Sequence, residues 1–127
     1  MRDHTQLKAF QLADELAVML YRATRSFPRE EPFGLTSQIR RAVVSVASNI
    51  VEGCARSTEA DYLRFLDIAF GSLREVEYQL SLAQRLGYLK LADFESIQTH
   101  CVSTSKVLAA LIRSFRLPRR TAEQSKA

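Results

Sequence analysis

Gln38, Arg41, Ser45, Ser48, Glu52 and Arg56 recur three or four residues apart, with Asn49 at their edge. Residues at that spacing share one face of an α-helix. The run FGLTSQIRRAVVSVASNIVEGCAR, Phe33 to Arg56, would therefore carry guanidinium, hydroxyl, amide and carboxylate groups along one narrow stripe. A second set, Gly71, Ser72, Glu75 and Gln79, repeats the spacing further along the chain. Together they could bind a polar ligand through Arg41, Asn49, Glu52 and Glu75, or use Glu52 and Glu75 as a carboxylate pair for acid–base work. The simpler chemistry is structural. Arg40 or Arg41 paired with Glu75 or Glu52 would fix helix register within a subunit or across an interface, because a partly buried charge is tolerated only beside a partner. We expect Arg40, Arg41, Ser45, Asn49, Glu52, Ser72 and Glu75 to form such a register or interface cluster.

Other reactive side chains form no catalytic pattern. Ser45 and Ser48 lie in a helical run without a glycine-flanked elbow and without a nearby histidine. His4 sits in a segment expected to fray. His100 and Cys101 are adjacent, so on a helix they point about 100° apart and make a poor metal pair. Cys101 falls on an apolar seam as a small filler, whereas Cys54, between Gly53 and Arg56, is expected to be more accessible. The glycines are scattered, so no phosphate-cradling loop is visible. The sequence thus points to no catalytic residue, no metal, no cofactor and no small-molecule substrate.

The elements that carry these residues read as four helices. Ala9, Ala13, Leu16, Leu20 and Ala23 give an apolar stripe over about Leu7 to Arg25. Pro28 and Pro32 then bracket a charged turn that neither neighbouring helix can enter easily. Leu35, Ile39, Ala42, Val46 and Ile50 make the core face of the second helix, ending near Gly53 to Arg56. Ser57 or Thr58 can cap a third helix. Its seam is Tyr62, Leu66, Ala69, Leu73, Val76, Leu80 and Ala83, and Gly87 stops it. Gly71 in mid-helix suggests close approach by another helix. A fourth helix from about Asp93 to Arg116 carries Phe94, Ile97, Cys101, Thr104, Leu108, Leu111 and Phe115, and Pro118 ends it. Short connections between four amphipathic segments predict an all-α, antiparallel up-down-up-down bundle over residues 1–117, with residues 118–127 as a loose basic tail.

Composition and charge limit the function classes. With 46% hydrophobic and 25% charged residues, the chain of 127 is ordinary for one soluble domain. Two cysteines and no apolar leader after Met1 lead us to expect a cytoplasmic protein. No apolar run approaches the roughly 20 residues needed to cross a bilayer. The net charge of +4 is unevenly placed. Residues 1–112 hold 13 basic and 13 acidic residues, whereas residues 113–127 hold five basic residues against Glu123 alone. The basic character therefore belongs to the C-terminal end.

FGL, QIRRAVVSVASNIVEG and FLDIAFGSLREVEYQL, taken together, resemble the bacterial family called four-helix bundle proteins, also described as large-subunit ribosomal RNA intervening-sequence proteins. The likeness runs from about Leu7 to Phe115. This sequence departs from it at Ala47, where members often carry proline, and at Phe10, near where they carry tryptophan. The resemblance implies a helical bundle and a ring-like homo-oligomer, a pentamer, but no activity. The residues point toward assembly on their own account as well. Val44, Ala47 and Val51 on the second helix, with Leu63 and Phe70 on the third, exceed what one core needs. A monomer rarely exposes large apolar patches, and a closed ring built on one repeated contact would bury them.

The C-terminal residues Arg113, Arg116, Arg119 and Arg120 could contact phosphate oxygens of RNA or DNA, or merely complement the helix dipole. For a lone subunit the second role suffices. Five copies would gather about +20 near one another, enough to attract nucleic acid without sequence preference. The expected function is a non-enzymatic helical module associated with nucleic acid, RNA in particular given the family resemblance. The alternative is an oligomeric protein-interaction scaffold with no nucleic-acid ligand.

Overall fold

A computed structural model describes residues 2–30 and 34–116 as four α-helices, with no strand among them. They are α1 (Lys8–Ala23), α2 (Leu35–Cys54), α3 (Glu59–Arg85) and α4 (Leu91–Arg116). Each boundary has a local cause. The Thr58 hydroxyl accepts the Asp61 backbone N–H at 3.1 Å, and Glu59 and Asp61 sit at the positive end of α3. At its other end Gly87 takes φ +78°, while Tyr88 N–H reaches the Ala83 carbonyl at 2.9 Å. That is a left-handed cap satisfying two otherwise orphaned carbonyls with the help of Gly87 N–H on Gln84. α1 runs into a 3-10 turn, Thr24–Ser26, and Phe27 is extended ahead of Pro28 as the proline requires.

Each helix packs on its neighbour in sequence, α1 also packs on α4, and the α2–α3 contact is the most extensive. All five core positions expected on α2 and all seven on α3 are buried. Fully burying a Leu or Ile contributes about 1.5–3 kcal/mol, so these two stripes alone dominate the apolar core. α1 buries Leu12 beside the expected stripe, and Ala23 is only half-buried. On α4 the expected seam holds from Ile97 to Leu108, but Ile112 then takes the inward place, leaving Leu111 and Phe115 half-buried. A strict seven-residue repeat drifts by ~20° per heptad on a straight helix, which carries Leu111 and Phe115 off the core line.

The close helix approach expected at Gly71 is found at Gly53 instead. Gly71 is exposed, and a Cβ there would meet nothing within 4 Å. The close approach occurs at Gly53, where a Cβ would lie 3.0 Å from the Phe65 Cβ and 3.3 Å from Tyr62. Cys54 beside it is buried rather than accessible, at 1% exposure. The cause is the N-terminal segment. Asp3 caps a 3-10 turn, His4–Gln6, through Thr5 N–H at 3.0 Å, and Arg2 N–H bonds to the Cys54 carbonyl at 3.1 Å. The Arg2 guanidinium then lies 3.9 Å from the centre of the Tyr62 ring, which meets Phe115 edge-on at 5.3 Å. His4, expected to fray, packs edge-on against Phe10 at 4.7 Å.

Candidate functional site: the groove between α2 and α3

Where the polar stripes of α2 and α3 face each other, Ser45 and Ser72 join through their hydroxyls at 2.8 Å. Asn49 donates its amide to the Ser45 hydroxyl at 2.9 Å and to the Ser45 carbonyl at 2.8 Å. Whichever serine donates in the shared bond, the other keeps its own hydroxyl proton for a further acceptor. Around this pair, Gln38, Arg41 and Ala42 of α2 and Glu75 and Gln79 of α3 line an open groove of about 410 Å³.

The expected arginine–glutamate register pair does not form within the subunit. Arg40 stands one residue off the stripe, so it turns toward α1. There its Nε donates to the Thr24 hydroxyl at 2.7 Å, and its guanidinium lies 4.9 Å from the centre of the Tyr21 ring. Thr24 in turn donates to the Leu20 carbonyl at 2.7 Å. Glu52 forms an ion pair with Arg56, one helical turn on, and Arg56 also covers the Phe65 ring at 4.7 Å. Arg41 and Glu75 make no ion pair among the described residues, and both are exposed. The polar contact between α2 and α3 is thus made by hydroxyls, beside the apolar packing of the core.

Gln79 is the residue that the expected cluster lacks. Helical spacing puts it on the stripe of Ser72 and Glu75, yet nothing in the sequence says that it is buried. It is only 8% exposed, and its Oε1 has no hydrogen-bond partner. An amide oxygen left so costs about 1–3 kcal/mol. Gln38, at the opposite wall, was also placed by spacing alone.

The five apolar residues expected at an interface are not brought together. Ser45 and Ser72 mark the sides on which α2 and α3 meet. Ala47 lies two residues and about 200° beyond Ser45, and Phe70 stands as far from Ser72. Ala47 and Val51 therefore line the α1 side of α2, with Val44, 40% exposed, at its outer edge. Leu63 and Phe70 line the α4 side of α3, half-buried against the core. Two flanks result, one on either side of the groove.

At the end of α4, Arg113 and Arg116 are exposed, and Arg116 pairs with Asp67 of α3. Arg119, Arg120 and the whole expected tail, residues 118–127, lie outside the described residues. Burial pushes the Cys101 thiol up to about 12 and raises Cys54 and Tyr62 in the same direction. His100 meets the Leu12 carbonyl at 2.9 Å and Glu15 at 3.5 Å, tying α4 to α1. No group of three or more His, Cys, Asp or Glu able to hold a metal occurs among the described residues. No described helix is long and apolar enough to cross a membrane.

A crystal structure from Bacteroides thetaiotaomicron VPI-5482, of a protein with unknown function from the S23 ribosomal protein family, shares this fold. It matches with a TM-score of 0.75 and 27% identity, over 83% of this chain and 95% of that one. No curated protein matches the chain. The family model described as 23S rRNA-intervening sequence protein matches residues 5–110. With four helices, the paired polar stripes of α2 and α3 and that match over most of its length, the chain belongs to the 23S rRNA-intervening sequence protein family.

Proposed function

We propose that this protein is a non-enzymatic, cytoplasmic assembly module, an up-down-up-down bundle that closes into a ring-like homo-oligomer, a pentamer. The up-down order is supported by contacts between helix ends. The end of α1 meets early α2 through Thr24 and Arg40, the end of α2 meets early α3 at Gly53 and Tyr62, and Tyr62 meets the end of α4 at Phe115. The observation that carries assembly is the pair of flanks, Val44, Ala47 and Val51 on one side and Leu63 and Phe70 on the other. Two different patches on opposite sides suit a head-to-tail contact, which closes into a ring, better than a two-fold one. A non-enzymatic role is supported by the serines, whose hydroxyls bond to each other and to the Asn49 amide rather than to a histidine or a carboxylate.

Mixing two variants tests the head-to-tail contact. Val44→Glu and Phe70→Glu should each be monomeric by light scattering while retaining their helical circular dichroism. Mixed, they should form a heterodimer, because each supplies the flank that the other lacks. Unchanged oligomer mass in both variants would overturn the reading.

A second reading, association of the assembly with RNA, is favoured by the exposed Arg113 and Arg116 in the last turn of α4 and by the family's link to ribosomal RNA insertions. Phosphate contacts release counterions, so affinity should fall steeply with salt. Fluorescence anisotropy with structured RNA, comparing the full chain with one stopped after Leu117, should show the steeper slope for the full chain, since the shorter one keeps only Arg113 and Arg116 of the four arginines. Equal affinity and slope in both would remove the tail from the mechanism. Absence of binding in both would leave the protein-interaction scaffold.

A further inference from the structure

We propose that the α2–α3 groove is a binding site for a small zwitterion carrying both a carboxylate and an amino group, the chemistry of a free amino acid. The proposal does not depend on assembly, since the groove lies between the two flanks rather than on either. Four observations support it. The groove, at about 410 Å³, is within the size range of small-molecule sites. Its charged groups are one of each sign, Arg41 on α2 and Glu75 on α3, and neither is neutralised by an ion pair among the described residues. Arg56, Arg64, Arg74 and Arg116 of the same molecule all have carboxylate partners. Gln79 in the groove lining is more than nine-tenths buried, yet its amide oxygen has no partner. Finally, the Ser45–Ser72 pair leaves one hydroxyl proton to donate.

These groups select the ligand by charge. A guanidinium offers forked donors to a carboxylate, and Glu75 accepts an ammonium. The free hydroxyl proton gives a donor on the floor, and the Gln79 amide accepts an N–H. A phosphate or nucleic-acid strand would meet Arg41 but be repelled by Glu75, so a polyanion does not fit. A simple amine would leave Arg41 unused, and a simple acid would leave Glu75 unused.

Nuclear magnetic resonance titration of the full chain with a panel of L-amino acids at up to about 10 mM reads even weak occupancy. The expected result is a saturable shift at Ser45, Ser72 and Gln79 for at least one amino acid. Its analogues lacking the amino or the carboxyl group should bind at least about tenfold more weakly. Arg41→Ala and Glu75→Ala should each lose about tenfold as well, and both positions are exposed enough to leave the fold intact. Gln79→Met should lose binding while its melting temperature holds or rises, which separates a lost site from a lost fold. The proposal is overturned if no amino acid shifts the groove resonances or if binding survives both charge removals.

Discussion

Gly53 and Gly71 have the same side chain and the same helical setting, and the structure predicts opposite consequences of filling them. A methyl group at Gly53 would press on Phe65 at 3.0 Å and on Tyr62 at 3.3 Å, between backbones that cannot separate cheaply. Gly53→Ala should therefore lower stability by about 1–3 kcal/mol. At Gly71 nothing lies within 4 Å, so Gly71→Ala should raise it by about 0.5–1 kcal/mol through helix propensity alone. Urea melts of the two variants check the contrast. The buried thiol makes a second prediction at this scale. Cys101 is held near 12 in the folded state against 9.0 for a free thiol, so the folded form keeps its proton longer. Its contribution is complete below about pH 9 and is lost as the pH rises through the window from 9 toward 12. Cys54 and Tyr62 shift in the same direction. Stability measured by urea melts should stay level through neutral pH and decline above about pH 9, and thiol reagents at neutral pH should label neither cysteine until the chain unfolds.

At the scale of elements, the helix ends carry the most local information. Thr58 holds the first turn of α3 through a hydrogen bond to Asp61 N–H, with two carboxylates beside it. Thr58→Ala should cost about 1 kcal/mol, whereas Ser57→Ala, at a position that makes no cap bond, should change little. Thermal melts of the pair decide which residue is the cap, a choice the sequence left open. Helix faces were legible for the same reason that helix ends were. Spacing in a 3.6-residue repeat determines which residues share a side, and the stripes of α2 and α3 were buried as that spacing required. What the spacing did not contain was the neighbour each side meets. Arg40 and Arg41 differ by 100° on one helix, and that angle sends Arg40 to Thr24 on α1 while Arg41 faces the groove.

For the whole molecule, the N-terminal residues, the end of α2, the start of α3 and the end of α4 meet at one end through Arg2, Cys54, Tyr62 and Phe115. The outer flanks of α2 and α3 remain as the surfaces through which copies would meet. If they do, assembly adds to stability by mass action, so the melting temperature should rise with protein concentration. That rise should vanish in Val44→Glu. A melting temperature independent of concentration over a hundredfold range would mean that folding and assembly are not coupled.

The sequence by itself determined the number of helices, their approximate ends and the inward faces of α2 and α3, with most of those of α1 and α4, because helix periodicity and capping are local properties of the chain. It also placed Ser45 and Asn49 on one polar stripe and Ser72 and Glu75 on another, without saying that the two stripes meet. Only the tertiary structure decided what those stripes do with one another. It chose the serine hydroxyls over an arginine–glutamate pair, buried Gln79 without a partner, covered Cys54 with the N-terminal turn, and moved the tight contact from Gly71 to Gly53. Each of these depends on which side chain of another helix comes within a few ångströms, and that distance is set by packing rather than by any pattern along the chain.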